Sequence, residues 1–242
     1  MFELFKKIMN NKESISANEK NFVHRILKTD IKEEPKSQED SIIFGCGCFW
    51  GAEKCFWKLP GVVTTSVGYA GGEKKNPTYY EVCSGFTGHA EVVKVVWNVN
   101  KIDISDLLKM FWECHDPTQK NRQGNDIGSQ YRSAIYYKNE ENKKIILASK
   151  EQYQKELNKK NLGLIETEIK MIDTYFYAEQ YHQQYLASPG SRQYCSASPT
   201  KVKLKDFEGS NYKLKDHVWE NFDWEVDKCV LRSDNNPIKN YN

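Results

Sequence analysis

The stretch Gly45-Cys46-Gly47-Cys48-Phe49-Trp50-Gly51 separates a short apolar run from an amphipathic segment. The apolar run, Ile42-Ile43-Phe44, predicts a β-strand. The residues that follow the stretch repeat at i, i+3, i+4 and i+7, the spacing of one helix face: Ala52, Cys55, Phe56 and Leu59. We therefore predict a strand, a tight turn that uses the two glycines, and a helix that begins near Cys48.

This predicted position of Cys48 points to a reactive thiol. The free backbone N–H groups and the positive end of the helix dipole would favour its thiolate. Phe49 and Trp50 would place aromatic walls beside the sulfur, so that a small apolar group could bind there. The alternative is that Cys48 is a small core residue, which is the usual role of a cysteine in an apolar run.

Composition excludes several classes of function. The chain has 242 residues, 39% hydrophobic and 28% charged, which is enough for a packed core with a charged surface. The net charge of +2 gives no basis for a nucleic-acid partner or a membrane surface. No apolar run is long enough to span a membrane, and the first ten residues lack the pattern of a secretory signal. We expect a monomer.

The seven cysteines are an odd number without regular spacing, which does not fit the disulfide framework of a secreted protein. A reducing compartment fits better, and we expect a cytoplasmic protein, with an organelle as the alternative. Cys55 and Cys114 fall on apolar helix faces, whereas Cys83 is ambiguous. Cys195 lies in a serine-rich segment expected to be mobile, as a resolving thiol requires, and Cys229 could extend such a relay.

Three parts of the chain differ in composition. Residues 1–40 are charged and weakly patterned, which predicts an arm or linker. Residues 41–200 contain alternating strand and helix patterns, and we predict that they form the catalytic domain. Residues 201–242 carry Trp219, Phe222 and Trp224, so we expect this C-terminal extension to pack back on the core. Several connections are too short for βαβ crossovers, and we therefore predict an α+β domain with a mixed sheet.

The remaining predicted elements follow the same patterns. We predict strands over 62–69, 91–97, 131–137 and 165–172, helices over 104–115, 140–157 and 178–186, one helical turn over 78–83, and a loop over 116–128.

Glu91 is a candidate general acid. It shares a strand face with Val93, Val95 and Trp97, and loss of hydration there would raise its pKa. The strand pattern alone also allows a solvated carboxyl at the exposed first position of the strand. Tyr79, Tyr131 and Asp126 lie in or beside predicted loops, where each could hydrogen-bond a ligand or simply pack.

The histidines and the paired cysteines raise the question of a metal. His115 ends a predicted helix, where a capping role is the default. Cys46-Gly47-Cys48 and Cys114-His115 could supply ligands to zinc, but structural zinc sites usually have two spaced pairs such as C-x₂-C. We therefore expect no metal site.

Many short motifs in one order carry a resemblance to a known family. They are Gly47–Gly51, Val67–Gly72, Asn76–Tyr79, Glu81–Ser84, Thr87–Glu91, Phe111–Thr118, Arg122–Asp126, Gln130–Tyr136, Tyr177–Glu179 and Tyr181–Leu186. The chain closely resembles the type A peptide-methionine sulfoxide reductases, which act on the S epimer. The resemblance runs from about Ile42 to Cys195.

The resemblance implies a fold and a set of roles. The fold would be a ferredoxin-like two-layer core without a bound cofactor. Cys48 matches the nucleophile, and Glu91 matches the acid that protonates the sulfoxide oxygen. The residues that match a substrate-binding role are Phe49 and Trp50, around the S-methyl group, and Tyr79, Tyr131 and Asp126, around the oxygen.

The implied reaction repairs oxidised proteins. Cys48 would become a sulfenic acid, a second thiol would condense with it, and thioredoxin would reduce the disulfide. The implied partners are thioredoxin and proteins or peptides that contain methionine sulfoxide.

The chain departs from the family pattern at three places. Cys46 stands where a methionine is often found, and it could be a packing residue or an additional thiol partner. Ile127 replaces a common histidine. Ser196-Ala197-Ser198-Pro199 replaces a glycine-rich tail, which leaves the resolving roles of Cys195 and Cys229 open. A redox-sensing protein that has lost turnover, and a zinc-binding module, are the alternative functions.

Overall fold

The computed structural model describes residues 22–226 and 229–240, apart from the side chain of Cys229. The first part of the predicted arm, residues 1–21, and the side chain of the candidate resolving residue Cys229 therefore lie outside the described part. The strands are β1 (Glu39–Cys46), β2 (Val62–Ala70), β3 (Ala90–Asn98), β4 (Arg122–Gln123), β5 (Asp126–Ile127), β6 (Ser133–Tyr137), β7 (Glu168–Met171) and β8 (Phe176–Tyr177). The α-helices are α1 (Phe49–Trp57), α2 (Tyr79–Cys83), α3 (Ile104–Cys114), α4 (Glu140–Lys159), α5 (Asp216–Glu220) and α6 (Cys229–Arg232).

The central sheet has the strand order β7-β6-β1-β3-β2-β8. Its neighbouring strands are antiparallel except for the parallel pair β6 and β7. The predicted α+β class and mixed sheet are confirmed. The inner order β6-β1-β3-β2, with α1 after β1 and α3 after β3, is compatible with the ferredoxin-like arrangement that the resemblance implies.

The main core lies between the sheet and the helices α1 and α3. Phe44 of β1 stacks on Phe56 of α1 at 4.9 Å and on Phe111 of α3 at 5.1 Å between ring centroids. All three side chains are fully buried. Because β1 leads directly into α1, this packing fixes the turn that carries Cys48.

Residues 22–38 contact the core rather than extend from it. The buried ring of His24 hydrogen-bonds Thr65 of β2 at 2.9 Å, and Tyr177 of β8 donates to the carbonyl of Ile31 at 3.2 Å. These contacts join the second half of the predicted arm to the sheet. The boundary at residue 40 stays a prediction.

The segment predicted as a helix over 178–186 is irregular. It forms only two short 3₁₀ turns, Gln180–His182 and Tyr185–Ala187. The amide of Gln183 hydrogen-bonds the backbone of Val67, and Gln184 has φ +48°, which breaks a right-handed helix. The helical pattern was therefore overridden by side-chain bonds to β2.

Buried carboxylates of α3 hold the beginning of the C-terminal extension. Asp106 accepts hydrogen bonds from the backbone N–H groups of Lys213 and Leu214 at 3.0 and 3.3 Å. Glu113 accepts from the N–H of Leu204 at 2.9 Å. The apolar side chains of the extension that are buried against the core are Val202, Leu204, Leu214, Val218, Phe222, Trp224 and Val230.

The end of the extension wraps around the C-terminal half of α1. The ammonium of Lys58 donates to the carbonyls of Asp234 and Asn236 at 3.1 and 3.2 Å. Trp57 donates its indole N–H to the carbonyl of Asn235 at 3.0 Å, and the N–H of Ile238 donates to Lys58 at 2.9 Å. The helix that begins at the candidate nucleophile is thus held at its other end by the last described residues.

Replacement of Asp106 by alanine is expected to destabilise the fold by about 2–4 kcal/mol, because two buried N–H groups of the extension lose their acceptor. Urea unfolding measures the change. The matched control is Glu151→Ala, which removes an exposed ion pair with Lys155 on α4 and should change stability by less than about 0.5 kcal/mol. Equal stability of the two variants would contradict the anchoring role.

In the part of the chain that the structure describes, no helix combines the length and apolarity needed to cross a bilayer.

Candidate active site

Cys48 lies at the N-terminus of α1, as the sequence predicted. It is the N-cap residue of α1, with φ −55° and ψ 121°, and its side chain is partly buried. The preceding turn needs Gly47, which has φ +88°, and a Cβ there would stand 2.5 Å from the side chain of Gln123. The turn therefore brings the sulfur to the start of the helix, with the neighbouring Gly47 packed against Gln123 of β4.

The ionisation of Cys48 differs from the sequence-based expectation. Burial and the nearby Glu91 carboxylate raise its pKa well above the ordinary value, with smaller contributions from Asp126 and Cys195. The backbone N–H of Trp50 acts in the opposite direction, as expected at a helix N-terminus. The helix start thus supports the thiolate, but burial of the sulfur, together with the negative groups that face it, outweighs that support.

Glu91 lies in β3 opposite Tyr69 of β2 and is 2% exposed. Its Oε2 accepts a hydrogen bond from the backbone N–H of Phe49 at 3.1 Å, so the carboxyl reaches the residue next to Cys48. Burial, with a smaller contribution from the Asp126 charge, raises its pKa to about 8 against the effect of this hydrogen bond. At neutral pH the group is therefore mostly a neutral carboxylic acid.

Aromatic rings surround the first turn of α1. Trp50 stacks on Tyr185 with ring centroids 3.9 Å apart, and its indole N–H donates to His182 at 3.1 Å. Phe49 is buried, and its ring lies 5.2 Å from that of His182. Tyr79 adds a ring 4.5 Å from His182. Phe49 and Trp50 therefore form part of an aromatic wall, as the sequence predicted.

The three predicted oxygen-binding residues lie near the acid. Burial raises the pKa of Tyr79 and of Tyr131, and the Glu91 charge raises both further, which places both phenols within the field of that carboxyl. Asp126 receives a hydrogen bond from Tyr194 at 2.7 Å on Oδ1. Its buried Oδ2 has no hydrogen-bond partner among the described residues, so it can accept one from a ligand or a water.

The sequence predicted a mobile segment around Cys195, but the Cys195 side chain is buried, with 7% of its surface exposed. Its sulfur occupies the space beside Gly51, where a Cβ would stand only 2.6 Å from it. Hydrogen bonds hold the segment on both sides of Cys195, from Tyr194 to Asp126 at 2.7 Å and from the N–H of Ser198 to Gln123 at 3.1 Å. The structure thus packs this thiol against the first turn of α1.

Several residues of the site were quoted in the sequence motifs but were given no role. Glu179 accepts from the phenol of Tyr69 at 2.8 Å and from the backbone N–H of Tyr79 at 2.9 Å. Cys83 lies close to the phenols of Tyr79 and Tyr131, and burial with the Glu91 charge raises its pKa to about 11. The sequence did contain a signal for Glu179, because the stretch Tyr177–Leu186 is rich in tyrosine and other polar residues.

The candidate metal ligands form a cluster behind the turn. Cys46, Cys114 and His115 have their ligand atoms within 4.8 Å of one another. The two ring nitrogens of His115 are bonded to the carbonyl of Phe111 at 2.7 Å and to the hydroxyl of Ser133 at 2.8 Å. His115 also ends α3 as its C-cap, which agrees with the predicted capping role.

A buried carboxylate positions the aromatic wall. Glu53 of α1 accepts hydrogen bonds from the backbone and side-chain N–H groups of Gln184 at 2.8 and 2.7 Å, and from the hydroxyl of Thr65 at 3.0 Å. Gln184 precedes Tyr185, which stacks on Trp50. Glu53 therefore ties the segment that carries the wall to the helix that carries Cys48.

Glu53→Ala is expected to lower kcat/KM about tenfold, equivalent to ~1.4 kcal/mol, because Tyr185 and His182 lose their fixed position against Trp50. Initial rates measured over a range of substrate concentrations give this value. An unchanged kcat/KM in a folded variant would contradict the positioning role.

A thiol at a helix start beside a buried acid and an aromatic wall is typical of the active site of a thiol-dependent oxidoreductase. A model of the peptide methionine sulfoxide reductase family matches residues 40–215. The chain belongs to that family, as a type A peptide methionine sulfoxide reductase, and is therefore an enzyme that reduces methionine sulfoxide.

Individual relatives agree with this assignment. The peptide methionine sulfoxide reductase MsrA of Vibrio vulnificus is 51% identical over 180 residues, which cover 74% of this chain and 86% of the relative. The mitochondrial enzyme of Bos taurus is 58% identical over 160 residues, which cover 66% of this chain and 68% of the relative. Among solved structures, methionine sulfoxide reductase A of Corynebacterium diphtheriae has 41% identity and a TM-score of 0.64, covering 76% of this chain and 89% of that one.

Proposed function

We propose that the protein reduces the S epimer of methionine sulfoxide, free or in proteins, through a sulfenic acid on Cys48. The observation that carries the proposal is the hydrogen bond of 3.1 Å between the buried Glu91 carboxyl and the N–H of Phe49, which holds an acid beside the candidate nucleophile. A sulfoxide sulfur becomes a good electrophile only when its oxygen is protonated, so the reaction needs both groups together.

The substrate would bind with its S-methyl group against Phe49 and Trp50 and its oxygen towards the acid. Tyr79 and Tyr131 would donate hydrogen bonds to that oxygen, because their raised pKa values keep both phenols protonated. Asp126 would act through a water on its unpartnered oxygen. A chiral sulfur bound at three points in this way is correctly oriented for attack by Cys48 in only one epimer.

The chemical step joins these groups. Glu91 gives its proton to the sulfoxide oxygen while the Cys48 sulfur attacks the sulfoxide sulfur. This attack forms a bond between the two sulfurs. The hydroxyl group then moves from the substrate sulfur to the Cys48 sulfur as the substrate S–O bond and the S–S bond break. Methionine leaves reduced by two electrons, and Cys48 is left oxidised as a sulfenic acid. Glu91 becomes a carboxylate when it gives up its proton. The thiol proton of Cys48 passes to this carboxylate, so Glu91 is again a neutral acid at the end of the step.

A second thiol then removes the sulfenic acid. Cys195 would condense with it, releasing water and forming a disulfide, and Cys229 is a further candidate for the relay. Thioredoxin, as a dithiol, would return the enzyme to its reduced state by exchange. The packing of Cys195 against the first turn of α1 supports its role. We further propose a monomer in a reducing compartment such as the cytoplasm; the relative of Bos taurus named as mitochondrial makes an organelle the alternative.

A coupled assay with thioredoxin, thioredoxin reductase and NADPH tests the proposal with each pure epimer of methionine sulfoxide and of a sulfoxide-containing peptide. Continuous turnover with the S epimer and none with the R epimer is the expected result. Equal rates with both epimers would contradict the assigned epimer. One equivalent of product followed by arrest would favour the redox-sensing alternative.

A further inference from the structure

Four cysteines line one cavity of about 370 Å³ beside the active-site helix. They come from four separate parts of the chain: Cys46 at the end of β1, Cys55 in α1, Cys114 at the end of α3, and Cys195 in the segment before the extension. Trp224, Val226 and Val230 of the extension form another wall. Cys48 is not among the lining residues, so this is a second group of thiols behind the candidate nucleophile.

Cys114 lies at the centre of this group. Its sulfur is within 4.8 Å of the sulfur of Cys46, and Cys55 lines the same cavity. The described cysteines are free thiols. A disulfide requires the two sulfurs to approach to about 2.05 Å, so this pair must close by no more than about 2.8 Å to bond.

Cys195 connects the group to Cys48. Cys195 lines the same cavity as Cys46 and Cys114, and its proximity contributes to the raised pKa of both Cys48 and Cys114. Its sulfur touches the position of Gly51, three residues along the chain from Cys48. A disulfide formed by Cys195 therefore has a further thiol, Cys114, on its inner side.

We propose that Cys46 and Cys114 form an internal dithiol that takes over the disulfide of Cys48 and Cys195, so that one chain reduces two sulfoxides before it needs a reductant. The proposal rests on the proposed function, which supplies that first disulfide.

The exchange is balanced in atoms and electrons. The Cys114 thiol loses its proton as its sulfur attacks the sulfur of Cys195, and Cys48 leaves as a thiolate that takes up this proton. Cys46 then attacks Cys114 in the mixed disulfide, and Cys195 leaves as a thiol. The net change oxidises Cys46 and Cys114 to a disulfide and reduces Cys48 and Cys195 to thiols, with no external reagent.

The position of the pair explains why the disulfide would move inward. The two sulfurs are already adjacent in the folded chain, and such preorganisation gives intramolecular reactions a high effective concentration. Both side chains are buried, at 3% and 2% exposure, so an external thiol cannot attack their disulfide directly. Reverse exchange through Cys195 would return it to the active site when thioredoxin reduces the outer pair.

Product counting in the absence of reductant tests the proposal. The parent protein carries Cys229→Ser, which removes the other relay candidate, and is reduced, freed of reductant and mixed with excess dabsyl-labelled S-methionine sulfoxide. We expect about two methionines per chain from the parent and about one from its Cys46→Ala and Cys114→Ala derivatives. The matched control, Cys55→Ala, changes a thiol of the same cavity and should still give about two.

Disulfide mapping by mass spectrometry of the arrested parent provides a measurement that does not depend on a core substitution. A bond between Cys46 and Cys114, beside one between Cys48 and Cys195, is expected. Arrest of the parent after one methionine, or a bond from Cys114 to Cys55 instead, would overturn the internal dithiol but leave the proposed function intact. Failure to form any methionine would overturn the proposed function itself.

Discussion

Cys48→Ser is expected to lower the reduction of S-methionine sulfoxide by at least about 10⁴-fold, the scale of loss when a nucleophile is removed. A serine hydroxyl is a weak nucleophile towards sulfur and cannot hold the transferred oxygen as a sulfenic acid. The steady-state rate with thioredoxin measures the effect. Single-turnover product formation without reductant should fall equally, because the lost step precedes disulfide formation.

The control for this variant is Cys55→Ala, in which a core-facing thiol of the same helix is changed. The Cys55→Ala variant should keep its activity, since Cys55 is buried and faces the cavity that Cys114 also lines. Circular dichroism should show that both variants are folded. Persistence of turnover in folded Cys48→Ser would mean that another thiol is the nucleophile.

Glu91→Gln is expected to lower kcat by about 10²–10⁴-fold, the usual contribution of general acid catalysis. Glutamine can still accept the hydrogen bond from Phe49, so the fold of the turn is retained, but it has no proton to give. Because the pKa of Glu91 is raised to about 8, the wild-type rate should decline as pH rises through this value. The loss in the variant should therefore be largest below pH 8, and its alkaline decline should disappear.

Stability provides an independent readout for Glu91. Its pKa in the folded state lies above its ordinary value, so its contribution to stability is complete at low pH and is lost as pH rises towards about 8. The glutamine variant avoids the burial of a charge. Its melting temperature relative to wild type should therefore rise between pH 5 and pH 9. A constant difference across this range would show that Glu91 titrates normally.

The sequence predicted the local elements around the nucleophile well. The apolar run before the glycines is part of β1, and the helix face of Ala52, Cys55 and Phe56 lies in α1. Leu59 falls two residues beyond the end of α1, yet it remains buried at 1% exposure. Periodicity identifies a buried face reliably because core packing and helix geometry impose the same spacing.

Contacts between distant parts of the chain set the features that the sequence left open. The strand pattern allowed Glu91 to be solvated, and only its pairing with β2 and its bond to Phe49 bury it. The serine-rich segment suggested a mobile Cys195, but hydrogen bonds to Asp126 and Gln123 hold that segment in place. Local sequence contains no record of these partners, because Phe49 lies 42 residues from Glu91, and Asp126 and Gln123 lie 68 and 75 residues from Tyr194 and Ser198.

The wrapping of α1 by residues 234–238 makes the catalytic helix sensitive to proteolytic trimming. Cleavage before Asp234 would remove the carbonyls that accept hydrogen bonds from Lys58 and Trp57, which are those of Asp234, Asn235 and Asn236. The trimmed chain would keep its sheet but lose the contacts that hold the helix behind Cys48.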